Sequence, residues 1–134
     1  LADHTWETAP APDVVLVPGG AGVYPLLEDA GLHERLRTLA ANGALVTSVC
    51  TGALVLAAAG LLRERPATTW WGRLELLAEI DPTIEVRPDD RFVDSGEIVT
   101  AAGVSAGIDM ALHLVARLHS VERAREVRRL VSDD

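Results

Sequence analysis

The apolar residues of this chain fall in short solid blocks of two alternating kinds. Asp13 to Val17, "DVVLV", is rich in β-branched residues without polar alternation, which predicts a strand covered on both faces, ending at Pro18-Gly19-Gly20. From Leu26 to Asn42, Leu32, Leu36, Leu39 and Ala40 fall at i, i+4, i+7 and i+8, one stripe of a helix that stops at Asn42-Gly43. Ala44 to Val49 predicts a second buried strand. Thr51 to Ala59 is apolar all round, as a helix packed on every side would be, and Gly60 follows it.

The pattern continues with shorter pieces. Ala67 to Trp71 predicts a short strand, Gly72 to Ile80 a helix closed by Asp81-Pro82, and Ile84 to Val86 another short strand. Arg91 to Asp94 and Glu97 to Ala101 flank Ser95-Gly96 as the arms of a hairpin. From Ile108 the positions Ala111, Leu112, Val115 and Leu118 keep helical spacing. A last helix, Val121 to Val131, carries Arg123, Arg125, Arg128 and Arg129; it reads as a solvated face because Glu122 and Glu126 stand three residues before Arg125 and Arg129. Strand–helix alternation with short connections predicts an α/β domain with a mostly parallel sheet plus a small hairpin.

Composition sharpens this picture. At 134 residues the chain is one domain long, and with 49% hydrophobic but only 4% aromatic residues its core must be built from Ala, Val and Leu. A net charge of −8 argues against nucleic acid as a partner of this segment. One cysteine cannot form an intrachain disulfide, and no run approaches the roughly 20 apolar residues of a spanning helix, so no membrane contact is expected. The irregular opening "LADHTWETAPAPD" has no secretory character and no initiator Met; the expectation is a cytoplasmic protein with residues missing upstream. No His/Cys/Asp/Glu group has metal-ligand spacing and Gly19-Gly20 lacks the Lys-Ser/Thr of a phosphate loop, so neither metal nor cofactor is predicted.

The candidate chemistry centres on "TSVCTG", residues 47–52. It places Cys50 where a strand hands over to a helix, beside amides that favour a thiolate, and Gly52 supplies the small residue that a sharp nucleophile elbow needs. Ser48 stands where the related G-x-S-x-G pattern has glycine, so the match is partial. The competing reading of Cys50 is a small buried hydrophobe. Ligands gather at the carboxyl ends of parallel strands, and Gly19-Gly20 lies at the end of a neighbouring one. The four histidines, His4, His33, His113 and His119, are read as solvated or core groups rather than bases.

Four stretches, "DVVLVPGG" (13–20), "SVCTGALVLAAAGLL" (48–62), "ATTWW" (67–71) and "VTAAGVSAGIDMALHLVARL" (99–118), together resemble the DJ-1/PfpI superfamily and, within it, the isonitrile hydratase-like branch. The resemblance implies a flavodoxin-like three-layer sandwich, a homodimer and a reactive cysteine. It makes Cys50 the nucleophile, the Gly20 and Thr51 amides an anion-stabilising pocket beside Gly19, and the Thr51 hydroxyl a group that positions substrate or water. Trp70 stands where many relatives carry a histidine; it lines the substrate site or packs as an apolar group. The family's first strand carries the acid that hydrogen-bonds the thiol, and residues 1–134 are expected to form a single domain lacking that strand and its helix.

The function implied is a cysteine-dependent hydratase or hydrolase acting on a small carbon–nitrogen substrate such as an isonitrile. Amidase or glyoxalase chemistry of the same superfamily is the enzymatic alternative. The same stretches resemble the sensor half of AraC-type regulators; the ending "LVSDD", without a basic recognition helix, favours a stand-alone protein. A redox sensor is the remaining reading.

Overall fold

The computed structural model describes residues 1–132; the last two residues of the expected 1–134 domain lie outside the described part. Four strands form the main sheet: β1 (Val14–Val17), β2 (Leu45–Ser48), β6 (Ile98–Ala101) and β5 (Phe92–Asp94), in the order β1-β2-β6-β5. β1 pairs parallel with β2 (Val15 opposite Val46) and β2 parallel with β6 (Ser48 opposite Thr100), while β5 and β6 close the antiparallel hairpin read from Ser95-Gly96. A second sheet of two residues per strand joins β3 (Pro66–Ala67) to β4 (Glu85–Val86).

Helices α1 (Val23–Leu26), α2 (Ala30–Ala41), α3 (Gly52–Ala58) and α4 (Leu74–Ile80) gather on one face of the sheet, and α5 (Val104–Leu118) with α6 (Val121–Val131) on the other. Parallel strands buried between helices on both faces make a flavodoxin-like α/β fold. The main core lies between sheet and α3, where Leu54, Val55 and Leu56 are fully buried with Val46 and Leu36. A smaller core of Leu45, Val99, Ala101 and Met110 lies under α5.

Several local readings are corrected. The helix expected from Leu26 begins only at Ala30, because the Asp29 carboxylate accepts from the Leu32 amide and caps a new start. The strand expected over Ala67 to Trp71 covers only Pro66–Ala67, and Trp71–Arg73 form a 3-10 turn before α4. The last long helix begins at Val104, four residues before its apolar spacing becomes regular. The arginines of α6 are exposed, as the reading of a solvated face expects, and Arg123 pairs with Glu126 at 3.2 Å. β1 is covered on one face only: Val14 and Leu16 are 39% and 54% exposed beside an apolar groove of about 470 Å³ that also touches Val104, Ile108 and Val115. Among the described residues β1 lies at the sheet edge and pairs with β2 alone, and α5 crosses nearer β6.

The hairpin is fastened to α5 by charge. Asp94 accepts from His113 Nε2 at 2.8 Å, from Arg117 Nη1 through both carboxylate oxygens at 3.0 Å and from the Gly96 amide at 2.8 Å, while the Phe92 and His113 rings stand 4.8 Å apart. Partial burial alone would raise the Asp94 pKa, but the bonds from His113 and Gly96 and the Arg117 guanidinium outweigh it and hold the carboxyl below its ordinary value. A depressed folded-state pKa gives stability that is present above the unfolded value of about 4 and is lost as pH falls through the folded one. Asp94→Asn is therefore expected to cost about 1–2 kcal/mol at neutral pH. In urea titrations the gap from wild type should narrow as the pH drops below about 4, where wild-type Asp94 also becomes neutral.

Candidate active site

The end of β2 turns sharply. Cys50 has φ +54°, a left-handed conformation that costs a non-glycine residue about 1–2 kcal/mol and persists only where surrounding bonds hold it. Those bonds are present. The Cys50 amide donates to the Ala101 and Ala102 carbonyls at the end of β6, at 3.1 and 2.8 Å, and the Val49 amide donates to Val17 of β1 at 3.2 Å. The Cys50 carbonyl accepts from Thr69 Oγ1 at 2.7 Å. Cys50 itself is half-buried and is a free thiol.

Gly52 makes the turn possible. A Cβ there would stand 2.1 Å from the Val17 carbonyl oxygen, so β1 and the start of α3 can approach only over bare backbone. Ser48, read as the small residue before the thiol, is fully buried on β2, and its Oγ has no hydrogen-bond partner among the described residues.

Gly19-Gly20 packs directly against the thiol residue. A Cβ on Gly19 would lie 2.7 Å from both the amide nitrogen and Oγ1 of Thr51 and 2.9 Å from Cys50 Cβ. Gly20, at φ +112°, directs its amide to Thr51 Oγ1 at 3.0 Å. One of the two amides expected to stabilise an anion is thus bonded to the neighbouring hydroxyl. Thr51 is buried at 5% exposure and accepts that bond, which leaves its O–H proton as a donor. The helix that follows, α3, has only seven residues, so the elbow relies on these placed groups more than on a long helix dipole.

Trp70 is half-buried, its ring folded over Gly72, where a Cβ would lie 2.3 Å from it, and reaching to within 3.7 Å of where Gly103 would carry one. Gly103 directly follows the Ala102 carbonyl that binds the Cys50 amide, so the indole stands beside the elbow while also packing. Trp71, 75% exposed, lies 5.1 Å from it by ring centroids. Arg73 Nε donates to the Tyr24 hydroxyl at 2.7 Å, joining the 3-10 turn to the helix after Gly20.

Each histidine is engaged elsewhere: His33 with the Leu26 carbonyl, His113 with Asp94, His4 with Thr8 and His119 with Ser120. Among the described residues no side chain hydrogen-bonds the Cys50 sulfur, and no group of three His, Cys, Asp or Glu could hold a metal. No described helix is long and apolar enough to cross a membrane.

The family model of the DJ-1/PfpI family matches residues 1–117. The chain belongs to the DJ-1/PfpI family. Within this family it is 48% identical over 125 residues to the isonitrile hydratase of Pseudomonas putida, covering 92% of this chain and 53% of that enzyme. It is 37% identical over 108 residues to the HTH-type transcriptional regulator CdhR of Pseudomonas aeruginosa, covering 80% of this chain and 32% of the regulator. Among solved structures, a ThiJ/PfpI family protein from Pseudomonas syringae superposes with a TM-score of 0.78 at 33% identity, over 96% of this chain and 54% of the other. The chain thus spans about half of the hydratase and about a third of the regulator.

Proposed function

We propose that this DJ-1/PfpI chain is a cysteine-dependent hydratase that converts an isonitrile to an N-substituted formamide. The observation that carries the reading is Cys50 held at φ +54° against Gly19 and Thr51, together with 48% identity to an isonitrile hydratase. The Cys50 thiolate adds to the isonitrile carbon, which takes up a proton, giving a thioimidate with one new C–S bond. Water then adds to that carbon, nitrogen takes a proton, and the C–S bond breaks to return the thiolate and release the formamide. The sum is isonitrile plus water. Proton transfer falls to the acid that the family resemblance puts on its first strand.

Thr51 suits the second step. Its oxygen accepts from the Gly20 amide, so its O–H proton is left to donate to water or to the charge developing on substrate. Gly19 lets its loop pack against Cys50 and Thr51, Gly52 lets β1 approach the elbow, and Gly20 and Trp70 are the neighbours assigned to substrate. We place the protein in the cytoplasm as a homodimer acting on a small molecule.

The second reading is a ligand- or redox-sensing domain of an AraC-type regulator, favoured by the 37% identity to CdhR. Incubation with a simple alkyl isonitrile, followed by quantification of the formamide, separates the two. Wild type should form product and Cys50→Ala should not. Equal rates in both would reject the nucleophile, and no turnover in either would favour the sensor.

A further inference from the structure

We infer that Thr69 is a positioning residue for Cys50, its buried hydroxyl holding the thiol-bearing residue in the left-handed conformation. The inference rests on the reading of Cys50 as the reacting group, and extends it to a side chain 19 positions away in sequence.

A strained residue keeps its conformation when the surrounding structure over-determines it, and fixing both of its peptide groups does so. For Cys50 one peptide is fixed through its amide, by the Ala101 and Ala102 carbonyls. The other is fixed through its carbonyl, which accepts from Thr69 Oγ1 at 2.7 Å. Thr69 is 1% exposed, so water does not compete for that bond.

Thr69 is itself held rigidly. It follows the two-residue strand β3, and the amide of Thr68 donates to Thr100 Oγ1 at 3.0 Å. Thr100, also 1% exposed, lies on β6 opposite Ser48, so the strand that leads to the Ala101 and Ala102 carbonyls also anchors the segment gripping the Cys50 carbonyl. Without the Thr69 hydroxyl that carbonyl loses its hydrogen-bond partner, and the peptide between Cys50 and Thr51 can rotate. Rotation changes ψ at Cys50 and φ at Thr51, which releases the left-handed conformation, moves Thr51 away from the Gly20 amide and lets the sulfur leave the position set by the Gly19-Gly20 loop.

The chain has a single cysteine, so alkylation by iodoacetamide reports this site alone. Second-order rates at neutral pH are measured for wild type, Thr69→Ser, Thr69→Ala and Thr69→Val, with circular dichroism to confirm folding. Serine should keep the rate within about threefold of wild type, and alanine and valine should lower it about tenfold or more, as expected for a displaced reacting group. Serine and alanine differ by the hydroxyl alone, and that pair decides the matter if the valine variant does not fold. Equal rates for serine and alanine, or faster alkylation without the hydroxyl, would overturn the assignment. Formamide production by wild type is read in parallel. A serine–alanine split without turnover keeps Thr69 and rejects the hydratase; turnover without the split does the reverse.

Discussion

Gly52→Ala is expected to destabilise the protein by about 3 kcal/mol or more, a large part of the 5–15 kcal/mol that holds a typical domain together. The added methyl would stand 2.1 Å from the Val17 carbonyl oxygen, 2.9 Å from its carbon and 3.0 Å from the Pro18 carbonyl oxygen, all backbone. No rotamer change relieves such contacts. Either β1 withdraws from α3, opening the core around Leu54 and Val55, or the elbow shifts and Cys50 loses its bonds to β6. The helical propensity gained by alanine, about 1 kcal/mol, is too small to compensate. Gly31→Ala is the control: at an exposed position of α2 its methyl would meet only Asp29 Oδ1 at 3.5 Å, so propensity acts alone and the protein should gain about 0.5–1 kcal/mol. Urea unfolding midpoints of opposite sign for two identical substitutions would verify the close approach, and a mild effect at Gly52 would refute it.

The contrast shows where sequence reasoning reaches its limit. Gly52 was legible because an apolar strand, a thiol and an apolar helix meet within six residues, and that handover requires a small residue. The parallel sheet was legible for the same reason, since buried strands and helix stripes are local patterns. Thr69 was not. Nothing in "ATTWW" distinguishes a threonine that grips the Cys50 carbonyl from one that faces water, because the partner lies 19 residues back and becomes a neighbour only through the sheet order. The bond from the Gly20 amide to Thr51 was equally invisible, since that hydroxyl lies 31 residues away in sequence. The exposed face of β1 was misread because "DVVLV" records what a strand can bury, whereas its position at the sheet edge determines what is covered. The missed break at Asp29 had a local signal, an Asx cap, which the longer apolar stripe obscured.

On the hydratase reading proposed above, Cys50→Ser is expected to lower formamide production by at least about a thousandfold while leaving the fold intact. Serine matches cysteine closely in shape and pays the same left-handed strain, so the Ala101, Ala102 and Thr69 bonds that fix the elbow remain available. What changes is the atom: a hydroxyl needs a base to become a nucleophile, whereas a thiol reaches its anion far more readily. Each of the four histidines that might serve is bound elsewhere, so serine finds no activating partner among them. Cys50→Gly adds a second dimension, because glycine adopts φ +54° without the cost that cysteine bears. It should be inactive like serine, yet at least as stable as Cys50→Ala, which retains the strain without the sulfur. Inactive variants ordered in this way would place the strain at Cys50 in the service of chemistry. A serine variant within tenfold of wild type would show that the elbow's geometry, and not its sulfur, supports the reaction.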